Sequence, residues 1–243
     1  MSGHSKWNNI KRKKEKTDAQ KAKIFTKIGK EMAVAVKAGG PDPRNNARLA
    51  ALIQKAKANN VPNENIERTI KKATASDGAN YEEIVYEGYG PGGVAIIVET
   101  TTDNRNRTAG NVRAGFNKYK GNLGSTGCVS YLFEDKGEIV ILKDGKIDED
   151  TLMETALEAG ASDFASEDEY YQIFTEAEDV YAVQEALVAA GYTVESAEAT
   201  KVPSNYVALS GEEDLKFMNL LLEYLEEDED VVEVYHNWEN CEE

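Results

Sequence analysis

The chain has 243 residues, five prolines and a formal net charge of −16. Its length allows more than one folded domain. No stretch reaches the roughly 18–20 apolar residues of a membrane helix, and residues 1–30 contain no apolar signal region. The only cysteines, Cys128 and Cys241, and the only histidines, His4 and His236, supply neither a disulfide framework nor a metal cluster. We therefore expect a soluble, cytoplasmic protein without a metal or cofactor and without a membrane partner.

The charge is divided unevenly along the chain. Residues 1–72 contain 18 Lys and Arg against six Asp and Glu, a net of +12, whereas residues 73–243 have a net of −28. A basic segment can attract phosphates locally because charges beyond about 8 Å are largely screened at physiological salt. The predicted nucleic-acid contacts of this segment are Lys6, Trp7, Lys11, Arg12, Lys13, Lys14, Lys21, Lys23 and Lys27. Trp7 could stack on a base or pack against the helical domain, and both alternatives are open.

Three helices are predicted in the basic segment. Residues 17–37 place Phe25, Ile28 and Met32 at helical spacing, and the Gly-Gly-Pro that begins at residue 39 ends this helix. A second helix is predicted over residues 45–59, and a third follows with Ile66 and Ile70 directed inward. Residues 1–79 are therefore predicted to form a small helical domain.

Strand patterns begin after a polar linker at residues 76–80. Residues 94–101 (VAIIVETT) are predicted as a buried strand, residues 104–119 as a helix, and residues 128–133 (CVSYLF) as a strand. The Gly-rich segment at residues 89–93 lacks the Gly-Lys-Ser/Thr ending of a phosphate-binding loop and precedes a strand. It is therefore predicted to form a tight turn.

The helix at residues 104–119 carries arginines close to its N-terminus. Arg105 and Arg107 lie where the helix dipole disfavours cations, which indicates an anionic partner. That partner could be a nucleic-acid phosphate or a carboxylate from a neighbouring domain. We include Arg105, Arg107 and Arg113 among the predicted nucleic-acid contacts.

The remaining elements predict two similar α+β domains. Residues 138–197 have the order strand, helix, strand, strand, helix, strand, which is typical of a ferredoxin-like domain. A final strand, helix and strand are predicted at residues 206–209, 211–226 and 231–237, and they could complete a second such unit with residues 93–133. The predicted fold is therefore α+β with three domains: an N-terminal helical domain (1–79) and two ferredoxin-like domains, one discontinuous (80–134 and 204–243) and one inserted into it (135–203).

No catalytic constellation is present in the sequence. Serine and cysteine nucleophiles have almost no histidine available as a base, and the many carboxylates have no distinguishing context. We expect no enzymatic activity and no small-molecule substrate.

Several motifs in order resemble the YebC/PmpR family across essentially the whole chain. They are GHSKWNNI at residues 3–10, KIFTK at 23–27, GGPDP at 39–43, NIER at 65–68, YEGYGPGG at 86–93 and TDNRNRT at 102–108. The resemblance implies a three-domain cytoplasmic protein with a helical N-terminal domain and two α+β domains.

The resemblance also implies a regulator of gene expression, with two alternatives for its target. The family is usually described as probable DNA-binding transcriptional regulators. Relatives include the mitochondrial translational activator of cytochrome c oxidase subunit I, and bacterial members are linked to ribosomes stalled on proline-rich sequence. The expected partner is therefore DNA, for transcription regulation, or ribosomal RNA and the ribosome, for RNA-binding translation regulation. The oligomeric state is not predicted.

Overall fold

The computed structural model describes residues 18–75 and 80–239. It has three helices followed by two antiparallel four-stranded sheets with helices, which confirms the predicted α+β fold class. The helices are α1 (Asp18–Gly39), α2 (Ala47–Ala58), α3 (Asn63–Thr74), α4 (Arg105–Lys118), α5 (Glu149–Glu158), α6 (Val180–Ala189) and α7 (Glu212–Glu227). The strands are β1 (Glu82–Tyr89), β2 (Ala95–Thr102), β3 (Asn122–Leu123), β4 (Phe133–Leu142), β5 (Asp163–Ser166), β6 (Tyr170–Thr175), β7 (Ser196–Pro203) and β8 (Val231–His236).

Helices α1, α2 and α3 form the helical region and pack around a shared apolar core. Apolar residues at helical spacing supply that core, including Ile28, Met32, Leu49, Leu52, Ala56 and Ile66. Asn46 fixes the connection between α1 and α2. Its side chain accepts a hydrogen bond from the backbone N–H of Leu49 (3.0 Å) and donates to the carbonyl oxygens of Ala35 and Gly40 (2.8 Å each). One buried amide therefore caps α2 and binds the end of α1.

The first sheet has the strand order β3-β1-β2-β8. Strands β1 and β2 form a hairpin, and the Gly-rich segment is its turn, as predicted: Pro91–Gly93 forms a short 3₁₀ turn. Gly92 (φ 65°) and Gly93 (φ 82°) occupy the left-handed region, where side chains other than glycine are strained. Residues of α4 and α7 pack with the sheet in one core, which includes Ile96, Val98, Phe116, Met218, Leu221 and Trp238.

Two predicted strands of this sheet are wrong. Within residues 128–133, Ser130–Leu132 forms a 3₁₀ turn and β4 begins only at Phe133. The backbone N–H groups of Val129 and Ser130 bind the Glu87 carboxylate and are therefore not available to a neighbouring strand. At residues 206–209, pairing is limited to a single parallel bridge between Val207 and Trp238.

Strand β1 occupies the place that residues 206–209 were predicted to fill. Matched position by position across the sheet, β3, β1, β2 and β8 of the first sheet correspond to β5, β6, β4 and β7 of the second. The second sheet follows the chain order of a ferredoxin-like domain. In the first sheet, the strand that corresponds to β6, which is β1, instead comes first in the chain. The first sheet is thus a permuted version of the second.

All the strands and helices predicted for residues 138–197 are present, as the second sheet and the helices that connect its strands, with shifted ends. Strand β7 spans Ser196–Pro203 instead of residues 192–197, and it pairs with a longer β4, from Phe133↔Pro203 to Val140↔Ser196. Tyr192 and Val194 precede the strand and pack against the domain core. Their alternating apolar pattern is like that of a strand, which explains why the strand was predicted too early in the chain.

The described chain forms two compact units. One comprises residues 132–204, and the other comprises residues 18–75, 80–131 and 205–239. The helical region and the first sheet fall within the same unit, and α1 contacts β2 and β8. The boundaries of the three predicted domains stay a prediction. Among the described residues, no helix has the length and apolar character needed to cross a membrane.

Candidate nucleic-acid interface

The predicted contact residues fall into three groups. Lys6, Trp7, Lys11, Arg12, Lys13 and Lys14 lie outside the described residues. Lys21 lies in α1, and nothing is described of its side chain. The structure describes the side chains of Lys23, Lys27, Arg105, Arg107 and Arg113.

Two lysines of α1 contact the C-terminal end of α7 and the turn that follows it. Lys27 donates from Nζ to the carbonyl oxygen of Glu226 (2.7 Å). Lys30, which was not among the predicted contacts, donates to the carbonyl oxygen of Glu229 (2.9 Å) and to Oδ1 of Asp230 (2.8 Å). A helix C-terminus carries partial negative charge, so cations are favoured there. These lysines therefore hold the helical region against the first sheet. Lys23 is half-buried one turn before Lys27.

Asp230 is the centre of a buried polar cluster. Only 3% of Asp230 is exposed. Its Oδ2 accepts hydrogen bonds from Arg107 (Nη2, 2.6 Å) and Thr108 (Oγ1, 2.9 Å). Thr102 adds a second hydroxyl contact at 3.2 Å. The carboxylate thus joins α1, α4 and the end of β2.

The electrostatics of this cluster favour an ionised Asp230. Burial alone would raise the pKa of Asp230, but hydrogen bonds from Lys30, Arg107 and Thr108 outweigh it and lower the pKa from 3.8 to about 2. Asp230 and Asp103 in turn raise the pKa of Arg107. The sequence left two anionic partners open for Arg107, a nucleic-acid phosphate or a carboxylate. In the structure its partner is the carboxylate of Asp230, which lies in the same compact unit. A contact between Arg107 and a phosphate stays a prediction.

Arg105 and Arg113 are more accessible than the Asp230 cluster. The side chain of Arg105 is 69% exposed, and Nη1 lies 3.9 Å from Oε2 of Glu82. Arg113 is exposed about two turns later on α4. Burial raises the pKa of the Tyr86 phenol, and both arginines oppose that rise. The Tyr86 hydroxyl is buried and has no hydrogen-bond partner among the residues that the structure describes. A contact between either arginine and a polyanion stays a prediction.

The structure shows further exposed cations that sequence analysis missed. Arg68, Lys71 and Lys72 are exposed between the middle and the end of α3, and none of them forms an ion pair with a described residue. Lys71 and Lys72 lie in the last turn of α3, where the helix dipole favours cations. Their spacing from Arg68, three and four residues, was the available signal, because such residues are neighbours on a helix.

A groove lies beside these cations, between α1 and α3. It encloses about 160 Å³ and is lined on α1 by Phe25, Thr26 and Gly29, and on α3 by Asn65 and Arg68. Two motifs that are far apart in the sequence, KIFTK and NIER, therefore meet at one surface. Ile28 and Met32 extend the apolar part of the lining.

A second buried carboxylate organises the loop after β3. Glu87 is 3% exposed. Its oxygens accept hydrogen bonds from the backbone N–H groups of Gly127 (2.7 Å), Val129 (2.9 Å) and Ser130 (2.8 Å). Burial would raise the pKa of Glu87, but these bonds lower it below its usual value. The Glu87 carboxylate thus fixes the backbone of this loop. Within residues 18–75 and 80–239, no group of three or more His, Cys, Asp or Glu could hold a metal ion.

Comparisons with known proteins identify the family. A family model described as "TACO1/YebC protein N-terminal domain" matches residues 5–76, and one described as "TACO1/YebC second and third domain" matches residues 81–238. A protein of Acetivibrio thermocellus is 59% identical over 98% of this chain and 99% of its own length. One of Agathobacter rectalis is 58% identical over 98% of this chain and 100% of its own length. Both are named "Probable transcriptional regulatory protein".

A solved structure has the same fold. The crystal structure of a conserved hypothetical protein from Aquifex aeolicus matches with a TM-score of 0.80 and 46% identity, and the match covers 92% of each chain. The resemblance inferred from the motifs is thus confirmed over nearly the full length. The chain belongs to the TACO1/YebC family of regulatory proteins.

Proposed function

We propose that this protein is a nucleic-acid-binding regulator of gene expression that contacts its target through the helical region. The observation that carries this proposal is the distribution of cations within residues 18–75. Lys27 and Lys30 are bonded to the end of α7 and to the turn before β8, whereas Arg68, Lys71 and Lys72 are exposed together beside the groove. Exposed clustered cations attract polyanions locally, and the acidic remainder of the molecule opposes nonspecific wrapping of the polyanion.

The first candidate target is DNA, as for a transcriptional regulator. The names of the relatives from Acetivibrio thermocellus and Agathobacter rectalis support this candidate. Helices α2 and α3 are joined by only four residues, 59–62, as in a helix-turn-helix pair. However, a recognition helix reads bases mainly from its N-terminal residues. The first half of α3 carries Glu64 and Glu67, which would repel phosphates.

The second candidate target is ribosomal RNA, as for a translation factor. The acidic start of α3 favours it, because the cations lie from the middle to the end of α3, beside the groove between α1 and α3, and not at the N-terminal end that a recognition helix directs at the bases. RNA is often recognised through irregular and single-stranded segments, which do not need a helix placed in a major groove. Lys6, Lys11 and the neighbouring cations before α1 add to the positive charge of the N-terminal sequence in either case.

The two candidates differ in a sedimentation and titration experiment. The full chain is sedimented with ribosomes and titrated with duplex DNA at several salt concentrations. We expect Lys11→Glu, Lys13→Glu and Lys14→Glu together to weaken binding of the true target more than about tenfold, because the protein then binds several phosphates fewer. Ribosome association without selective DNA binding assigns translation, whereas a sequence-selective DNA complex assigns transcription. No measurable affinity for either polymer at low salt would overturn the proposal.

A further inference from the structure

The groove between α1 and α3 has the chemistry of a small aromatic site. One wall is apolar and includes the half-buried ring of Phe25, and Ile28 and Met32 lie behind it. The other wall comes from α3 and carries the polar side chains Asn65, Arg68 and Thr69 beside the apolar Ile66. A site that combines apolar surface with polar groups along one wall suits a flat ring with hydrogen-bonding edges.

The polar wall presents donors. Oδ1 of Asn65 accepts a hydrogen bond from Nη2 of Arg68 (2.8 Å). This bond leaves the Asn65 amide N–H groups and the other guanidinium N–H groups available to a ligand. The Thr69 hydroxyl is already used, since it donates to the carbonyl oxygen of Asn65 (2.8 Å). The groove therefore offers donors to carbonyl or ring-nitrogen acceptors.

The size and surroundings of the groove restrict the ligand further. Its volume of about 160 Å³ is below the roughly 300–1,000 Å³ of pockets for drug-sized ligands, so it suits a single ring system. Arg68, Lys71 and Lys72 lie on the same helix within one turn and are exposed. A ligand with one flat base and adjacent phosphates satisfies both features.

We propose that this groove binds one unstacked nucleobase of a single-stranded nucleic acid. The Phe25 ring packs against the base, Asn65 and Arg68 bind its edge, and Lys71 and Lys72 bind the flanking phosphates. Proteins generally bind single-stranded nucleic acids by stacking unpaired bases on aromatic side chains while nearby cations bind the backbone phosphates. The inference rests on the proposed function and names the feature of the nucleic acid that the helical region recognises.

Gly29 allows a test that leaves every cation in place. It lines the groove on α1, and a Cβ added there would meet only Cγ2 of Thr69, at 3.8 Å, which is ordinary contact. Gly29→Ala is therefore accommodated and improves helix propensity. Gly29→Leu places a branched side chain in the groove, where the base would lie. Phe25→Leu is a second variant, which removes the ring and keeps an apolar side chain.

The measurement is fluorescence anisotropy of the full chain with short oligouridine, the matching oligodeoxythymidine, and the same strands made abasic. We expect the wild type to bind the abasic strand about tenfold or more weakly, since base stacking on an aromatic ring is worth about 1–3 kcal/mol. Gly29→Leu and Phe25→Leu should weaken binding of the normal strand by a similar factor and leave binding of the abasic strand unchanged. Gly29→Ala should behave as the wild type does. Thermal unfolding of each variant verifies that it is folded.

The outcomes separate the inference from the proposed function. If the folded Gly29→Leu variant binds the normal strand as tightly as the wild type, or if the wild type does not distinguish normal from abasic strands, the groove does not hold a base. The proposed function would then still stand on ribosome or duplex binding. A protein that binds neither strand, nor ribosomes, nor duplex DNA contradicts both. Comparison of the ribose and deoxyribose strands identifies which polymer supplies the base.

Discussion

The helical region has two basic surfaces that differ in what their cations contact. We call them the sheet-facing surface, which includes Lys27, Lys30 and Arg48, and the groove-side surface, which includes Arg68, Lys71 and Lys72. Each described cation of the first surface is bonded to the first sheet or to the end of α7. The cations of the second are exposed and form no ion pair with a described residue. A net charge of +12 over residues 1–72 therefore overstates the charge that a polyanion can reach.

The difference follows from burial. The side chain of Lys30 is 13% exposed and that of Asp230 is 4% exposed, so both charges have left water and depend on each other. The groove-side cations retain their hydration. Removing a sheet-facing partner should therefore affect folding, and removing a groove-side cation should affect binding. The predictions below test that division.

The largest expected effect is that of Asp230→Asn. The substitution leaves Lys30 and Arg107 close together without their shared carboxylate, and breaking a buried pair in this way typically costs about 3–5 kcal/mol. We expect the free energy of unfolding in urea to fall by that order. Asp103→Asn is the matched control, because Asp103 also binds Arg107 (2.9 Å) but is 50% exposed. It should cost less than about 1 kcal/mol. Equal reductions for the two variants would contradict the special role of the buried carboxylate.

The next largest expected effect is a dependence of the free energy of unfolding on pH. The pKa of Asp230 is lowered from 3.8 to about 2 in the folded chain, so its ionised form is stabilised by about 2 kcal/mol. This contribution is fully present above about pH 4 and is lost as the pH falls toward about 2. The difference in unfolding free energy between wild type and Asp230→Asn should therefore be largest near neutral pH and narrow below about pH 4. A difference that stays constant through this window would show that the carboxylate is not the titrating group.

The groove-side surface should respond in the opposite way. Replacing Arg68, Lys71 and Lys72 together by Ala should weaken nucleic-acid binding about tenfold or more and reduce the slope of log affinity against log salt by about one for each phosphate that the protein no longer binds. Unfolding free energy should change by no more than about 0.5 kcal/mol per residue, because the side chains are exposed. Lys27→Ala is the comparison: we expect it to lower stability and to leave the salt slope unchanged. The reverse pattern would exchange the roles of the two surfaces.

The sequence predicted the elements whose apolar spacing is regular. Most core positions predicted for α1, α2 and α3, and the order of strands and helices along residues 138–197, depend on local periodicity, and the structure confirms them. Phe25 is the exception, since it is half-buried and lies outside that core. Strand β1 was not predicted, because its pattern is interrupted by Glu87, a buried acidic residue that binds a loop about 40 residues away. A polar residue that is buried for a distant partner looks like a surface residue in the sequence.

The candidate site was less predictable than the fold for the same reason. Arg107 reaches Asp230 across 123 positions, and Lys30 reaches it across 200. No local pattern reports a partner at that separation. The groove also depends on long-range packing, since KIFTK and NIER were recognised as motifs but only the fold brings them together. What the sequence indicated correctly was that the arginines near the start of α4 have an anionic partner, which for Arg107 is the carboxylate of Asp230, in the turn before β8.

The smallest expected effect concerns the exposed edge of the sheet-facing surface. Arg48 binds Glu83 through two hydrogen bonds, and the side chains are 47% and 38% exposed. An exposed pair of this kind contributes about 0.2–1 kcal/mol, because water and salt screen it. Arg48→Glu and Glu83→Arg should each lower stability slightly, and the double variant should recover most of that stability, as a double-mutant cycle in urea would measure. Absence of coupling would mean that the buried Asp230 cluster, and not the exposed edge, fixes the helical region on the first sheet.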